Sequence, residues 1–411
     1  MKRCIILLLF LVFLFVTGCN RDFSNCSNTT ASDTNNNNVS NASSNDNEVI
    51  KAVWINYYEL SMKDKGGGTK DSFTEKIKYM FSKVKALGLN TVIVHVRPFS
   101  DAFYCSDIYP FSKYITGTQG KNPGYDPLKI MCEQADNYEL KIHAWINPYR
   151  VLYSTNFDEL AKTNPARMWR EDSNPDNDDW IIVTDSGIFY NPSVPEVQKT
   201  LIDGVREIIR KYDIDAIHMD DYFYPSTDES IDKAQYSKYL DCGGKRSIAD
   251  WRRDNVNIFV SGLYSAINSE NTNVRFGISP AGDIQKNYDM HYADIREWVS
   301  NSGYIDFIMP QLYYGFDNQS KPFKNVATQW SELMKDSEVK ICYGLAIYKC
   351  GEIDELAGAG INEWKTNDDI ISRQVAYLKT LPNYDGVILY SYKFLFTENS
   401  KNETNLLKNV I

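Results

Sequence analysis

Eight short runs rich in β-branched and aromatic residues recur along this chain, each followed by an amphipathic helical stretch. They are AVWIN (52–56), TVIVHVR (91–97), KIHAWIN (141–147), IDAIHMD (214–220), VRFGISP (274–280), IDFIMPQ (305–311), VKICYGL (339–345) and GVILYSY (386–392). Helical spacing of apolar residues predicts helices near 72–87, 126–139, 194–211, 246–268, 289–301, 322–336 and 367–380, with a short last one from about 400. Strict alternation of strand and helix calls for a parallel sheet with helices outside it. An open nucleotide-binding sheet would carry a G-x-G-x-x-G turn after its first strand, whereas Gly66-Gly67-Gly68 lies well past Asn56 and lacks that form. The count of eight therefore predicts a closed (β/α)₈ TIM barrel. The connections after the second, third, fourth and seventh strands are long (98–125, 148–193, 221–245 and 346–366), so the chain invests in the face where barrel enzymes keep their chemistry.

Ahead of the first strand, two positive residues and an apolar run from Cys4 to Val16 lead into VTGCN, a short secretory signal. Val16-Thr17-Gly18-Cys19 resembles a bacterial lipobox, which predicts removal of residues 1–18 and acylation of Cys19, hence an exported protein held at the outer side of a membrane. Residues 19–48 are nearly all Asn, Ser, Thr and Asp and are expected to be a disordered tether, leaving 49–411 as the folded domain. A net charge of −10 and a pI near 5.1 argue against nucleic acid as a partner. The cysteines form no C-x-x-C pair, although Cys342 and Cys350 lie close enough in sequence to bridge.

The stretch IDAIHMDDYFYP ends a buried strand on two adjacent acids and follows them with rings. Side chains alternate along a strand, so Ala216, His218 and Asp220 share the barrel interior and place Asp220 at its mouth, with Asp221 turned toward a neighbouring strand or loop as a further catalytic-site residue that braces Asp220 or a substrate hydroxyl. The other strands deliver His95, Arg97, His143, Trp145, Asn147, Gln311, Tyr390 and Tyr392, and Asp306, early in its strand, belongs at the barrel bottom. A ring of donors among aromatic side chains suits sugars, whose C–H faces stack on rings while hydroxyls find polar partners. On this basis Arg97, His143, Trp145, Asn147, His218, Tyr222, Tyr224, Gln311, Tyr313, Tyr348 and Tyr392 are the expected substrate-binding residues.

Glycoside cleavage needs two carboxyl groups, one to protonate the leaving oxygen and one to act as nucleophile or activate water. Asp220 supplies one; Glu363, beside Trp364 in the loop after the seventh strand, is the expected proton donor, and Asp283 in SPAGD is its substitute. No H-E-x-x-H and no G-x-S-x-G occurs, so no metal or cofactor is called for, although His95, His143 and His218 fall on neighbouring strands. A surface lipoprotein that binds carbohydrate without cutting it is the alternative from another class.

Six ordered blocks, VIVHVRPFSDAFYCSDIYPFSKYITGTQGKNPGYDPL (92–128), HAWINPYRV (143–151), IHMDDYFYP (217–225), FGISPAG (276–282), DFIMPQLYYG (306–315) and GLAIYKCG (344–351), resemble those of the glycosyl hydrolase-like 10 family of bacterial, often lipid-anchored proteins. The resemblance runs from about Val49 to Tyr392. It implies a (β/α)₈ barrel that hydrolyses a glycan, with peptidoglycan strands as the substrate, and it sets Asp220 in the family's Asp-Asp-Tyr block.

Overall fold

The computed structural model describes residues 48–411; the predicted signal, Cys19 and all but the last residue of the predicted tether lie outside the described residues. Eight parallel strands close into a barrel: β1 (Ile50–Ile55), β2 (Thr91–Arg97), β3 (Lys141–Ile146), β7 (Ala216–Asp220), β8 (Arg275–Ser279), β9 (Phe307–Ile308), β10 (Lys340–Leu345) and β11 (Tyr384–Tyr390). Their order around the barrel follows the chain, and β11 closes on β1 with Ala52 opposite Ile388 and Trp54 opposite Tyr390. Every predicted strand is present, and a helix lies at each predicted place, from Lys70–Ala86 to Lys401–Val410.

Local signals set the helix starts. Thr69 and Ser72 form a reciprocal capping box at the first long helix. Asp126 accepts from Lys129 N ahead of Pro127, which has no N–H to leave unsatisfied.

Two apolar layers hold the barrel. Outward residues such as Val92, Val94, Ile142, Ile217, Ile278 and Leu389 pack against the helices. Inward residues, among them Ala52, Trp54, Ile93, Trp145, Ala216, Phe307, Cys342 and Ile388, fill the interior in layers drawn from alternate strands. Large rings fit there because their neighbours are small: a Cβ on Gly277 would overlap the Phe307 ring, and one on Gly344 would stand 2.8 Å from the Trp54 ring.

The long connection after β3 holds structure of its own, an antiparallel sheet in the order β4 (Arg150–Leu152), β6 (Gly187–Tyr190), β5 (Ile181–Thr184). Sequence reading predicts only a long connection there. These strands are three or four residues long, too short for alternation to stand out. Cys342 and Cys350 are buried and free, so no bridge joins them.

A buried acid at the barrel mouth

β7 runs straight into the site. His218 lies inside the barrel, fully buried, with its Nε2 accepting from Trp54 Nε1 at 3.0 Å. Two residues on, Asp220 ends the strand on the same side and is 6% exposed. Its Oδ1 accepts from Trp145 Nε1, and its Oδ2 accepts from Asn147 Nδ2 at 3.0 Å. Asn147 in turn offers Oδ1 to His95 Nε2 at 2.5 Å, and the His95 ring lies flat on Trp145 with centroids 3.6 Å apart. Asp220 is thus positioned by a buried relay drawn from β2 and β3.

Burial dominates the electrostatics of that carboxyl. It pushes Asp220 up to about 7 against the pull of Arg150, Asn147 and Trp145, and the charge of neighbouring Asp221 raises it further. Burial, assisted by Arg150, holds His95 well below the usual histidine range, and burial with His143 does the same to His218. Both imidazoles are therefore neutral donors or acceptors, not cations.

Around Asp220 stand rings that keep surface to solvent. Tyr222 is 52% exposed, with the Arg150 guanidinium 5.2 Å from its centroid. Tyr313, Tyr348 and Tyr390 are half-buried and in mutual contact, with centroids 5.7 to 5.9 Å apart. Arg150 is buried, donates to the Tyr153 hydroxyl and lies over Phe99 as well. An acid, a cation and four aromatic rings thus gather at the C-terminal end of the barrel strands.

Several expected residues are elsewhere. A register shift between His95 and Arg97 pairs His95 with Trp145 but Arg97 with Ile146, so the bulge turns Arg97 out of the barrel. There its guanidinium lies 4.7 Å from the Tyr109 centroid, against Gly204 of the helix Pro195–Lys211. His143 points inward but sits a layer below Trp145, opposite Ala216 and against the Phe307 ring, too deep for the mouth. Tyr224 packs outward on Tyr292, Arg252 and Asn255. Tyr392 lies past the end of β11 and packs on Phe396, leaving Tyr390 as the ring at the mouth. Trp145, Asn147 and His218 are at the site but spend their polar atoms on Asp220, His95 and Trp54. Gln311 is half-buried and donates to Ser279 O at 3.0 Å.

Glu363 is not a free acid. Its two oxygens accept from the backbone N–H groups of Phe316 and Asp317 at 2.8 and 3.0 Å, so it pins the loop after β9 from the first turn of its own short helix. Asp283 caps the helix Ile284–Met290 through Gln285 N and Lys286 N and pairs with Lys321. Asp221 turns sideways as expected: its Oδ2 accepts from Ala281 N at 2.9 Å and lies 2.8 Å from His291 Nδ1. Asp306 accepts from Phe276 N at the barrel bottom. Among the described residues no group of His, Cys, Asp or Glu is arranged to hold a metal ion.

Sequence reading missed Arg150 as a site residue. It lies three positions past Asn147 in a connection whose return path only the small sheet defines, and it reaches the mouth because β4 folds back.

Comparison with known proteins agrees with this architecture. The Bacillus subtilis protein "Glycosyl hydrolase YngK" is 38% identical over 324 residues, which cover 73% of this chain but only 61% of the relative's length. The Escherichia coli K12 protein "Glycosyl hydrolase DigH" is 32% identical over 337 residues, 76% of this chain and 74% of the relative. Among solved structures, the PgaB (BpsB) glycoside hydrolase domain from Bordetella bronchiseptica superposes with a TM-score of 0.58 at 10% identity, covering 88% of this chain and 98% of that one, a likeness of fold. Residues 49–357 match the family described as glycosyl hydrolase-like 10, and the chain belongs to that family.

Proposed function

We propose that this protein hydrolyses glycosidic bonds in a bacterial polysaccharide, with peptidoglycan glycan strands as substrate, and that Asp220 is the group that protonates the leaving oxygen. The observation that carries the reading is the buried Asp220, pushed up to about 7 at the C-terminal end of a barrel strand and fixed by Trp145 and Asn147. A carboxyl titrating near neutrality holds its proton long enough to give it to a glycosidic oxygen and can retrieve one from water afterwards. Tyr222, Tyr313, Tyr348 and Tyr390 supply faces for sugar rings, and Arg150 supplies a donor for hydroxyl or acyl oxygens. Glycan strands carry acetyl groups and hydroxyls that match such a mixed surface. Acylation at Cys19, with the Asn- and Ser-rich segment as tether, would hold the domain at the outer side of the membrane, next to that substrate.

Purified glycan strands incubated with the protein should gain reducing ends, and Asp220→Asn should stop their release while still binding the strands. Binding by the wild-type protein with no new reducing ends would instead identify a carbohydrate-binding protein that does not cut.

A further inference from the structure

Hydrolysis at Asp220 requires a second group to stabilise the anomeric carbon, and the common arrangement places a second carboxylate across the sugar, about 5 to 5.5 Å away for retention or about 6.5 to 9.5 Å for inversion. Four acids of the loops on this face are otherwise engaged. Glu59 accepts from Asn56 N and Lys393 N, Asp283 is bound to Lys321, Asp354 to Lys349, and Glu363 to two backbone amides. The carboxylate whose charge Asp220 feels is its own chain neighbour, Asp221.

Resting on the glycosidase reading above, we infer that Asp221 is the second carboxylate of the reaction, and that it acts on a 2-acetamido group of the sugar at Asp220 and not on the anomeric carbon. Successive residues of a strand diverge, so Asp220 and Asp221 cannot face each other across a ring. They can address two neighbouring positions on one edge of it, the glycosidic oxygen and the 2-substituent. Asp221 is held in one orientation with one oxygen to spare. Ala281 N donates to Oδ2, which lies 2.8 Å from His291 Nδ1, while among the described residues Oδ1 has no donor and 4% of the side chain stays open.

The step balances without a cofactor. Asp220 gives its proton to the glycosidic oxygen as the C1–O bond breaks, and the acetamido carbonyl oxygen supplies the electron pair that closes on C1. The amide N–H, acidified in the resulting cyclic oxazolinium, is held by Asp221 Oδ1. Water then attacks C1, loses a proton to the Asp220 carboxylate and returns the electron pair to the carbonyl oxygen, which restores the amide and leaves a sugar of retained configuration.

The test uses the whole protein with glycan strands whose N-acetyl groups are intact or replaced by mono-, di- and trifluoroacetyl, together with a bicyclic thiazoline analogue of the 2-acetamido sugar. Expected are a stepwise fall in kcat with each fluorine, a first product of retained anomeric configuration by NMR, and a fall in kcat of about 10²- to 10⁴-fold in Asp221→Asn. Thiazoline binding by calorimetry should weaken at least tenfold in the same variant. Turnover that ignores fluorination, or an inverted product, overturns the role of Asp221 while leaving glycosidase activity standing. A protein that cuts no glycan and ignores the thiazoline fails on both counts, and thiazoline binding that depends on Asp221 without turnover supports the acetamido site alone.

Discussion

Asp220→Asn should make the protein more stable at neutral pH, and the gain should vanish in acid. Burial raises this carboxyl from an ordinary 3.8 to about 7, so the folded state holds a proton that the unfolded chain has already released between those values. Stability contributed by a raised acid is therefore full below about 4, falls as pH rises, and is lost above about 7. At about 1.4 kcal/mol per decade, the rise corresponds to a charge penalty on the order of 4 kcal/mol at pH 8, which the neutral amide escapes. Asn brings a cost of its own, because its NH₂ must face Trp145 Nε1 or Asn147 Nδ2 where an oxygen accepted before, on the order of 1 to 3 kcal/mol. That cost does not change with pH, so the slope of the difference is the diagnostic quantity. Urea unfolding of both proteins at about pH 4, 6 and 8 measures it. An advantage for the variant that is constant, or that grows toward acid, would refute a buried acid of raised pKa at the barrel mouth.

Trp145→Phe removes one donor that favours the ionised Asp220, on the order of 1.5 kcal/mol for a charge-assisted bond, and should move the basic limb of the kcat/KM profile up by about one pH unit; an unmoved or lowered limb counts against Asp220 as the acid. Glu363→Gln should retain kcat within a few-fold while lowering the free energy of unfolding by about 1 to 3 kcal/mol, since it loses charge-assisted bonds to Phe316 N and Asp317 N; loss of turnover without loss of stability would restore Glu363 as a catalytic acid. Gly277→Ala drives a methyl against the Phe307 ring and should cost about 1 to 3 kcal/mol by urea unfolding; a neutral result would show that the ring can yield.

Which part of this molecule its sequence alone could specify follows from the range of the interactions concerned. Strand and helix alternate by local rules, a period of two against one of 3.6, and capping and proline signals sit within a few residues of the helices they start. Hence all eight barrel strands, their helices and the inward face of β7, with His218 and Asp220 on it, could be read directly. Asp221 could likewise be placed sideways, because alternation needs no partner.

Tertiary structure decided the rest. One bulge between β2 and β3, invisible in TVIVHVR, keeps His95 inside and turns Arg97 out, because the register depends on the strand that pairs with it. Depth in the barrel separated His143 from the mouth, and the end of β11 exchanged Tyr392 for Tyr390. Arg150 arrived by a fold-back that pairs β4 with β6, and Glu363 was withdrawn by amides from a loop 46 and 47 residues earlier. Sequence thus told which side chains could bear chemistry. Which of them keep a free atom at the mouth depended on hydrogen bonds between residues distant in the chain, and those exist only once the barrel has closed.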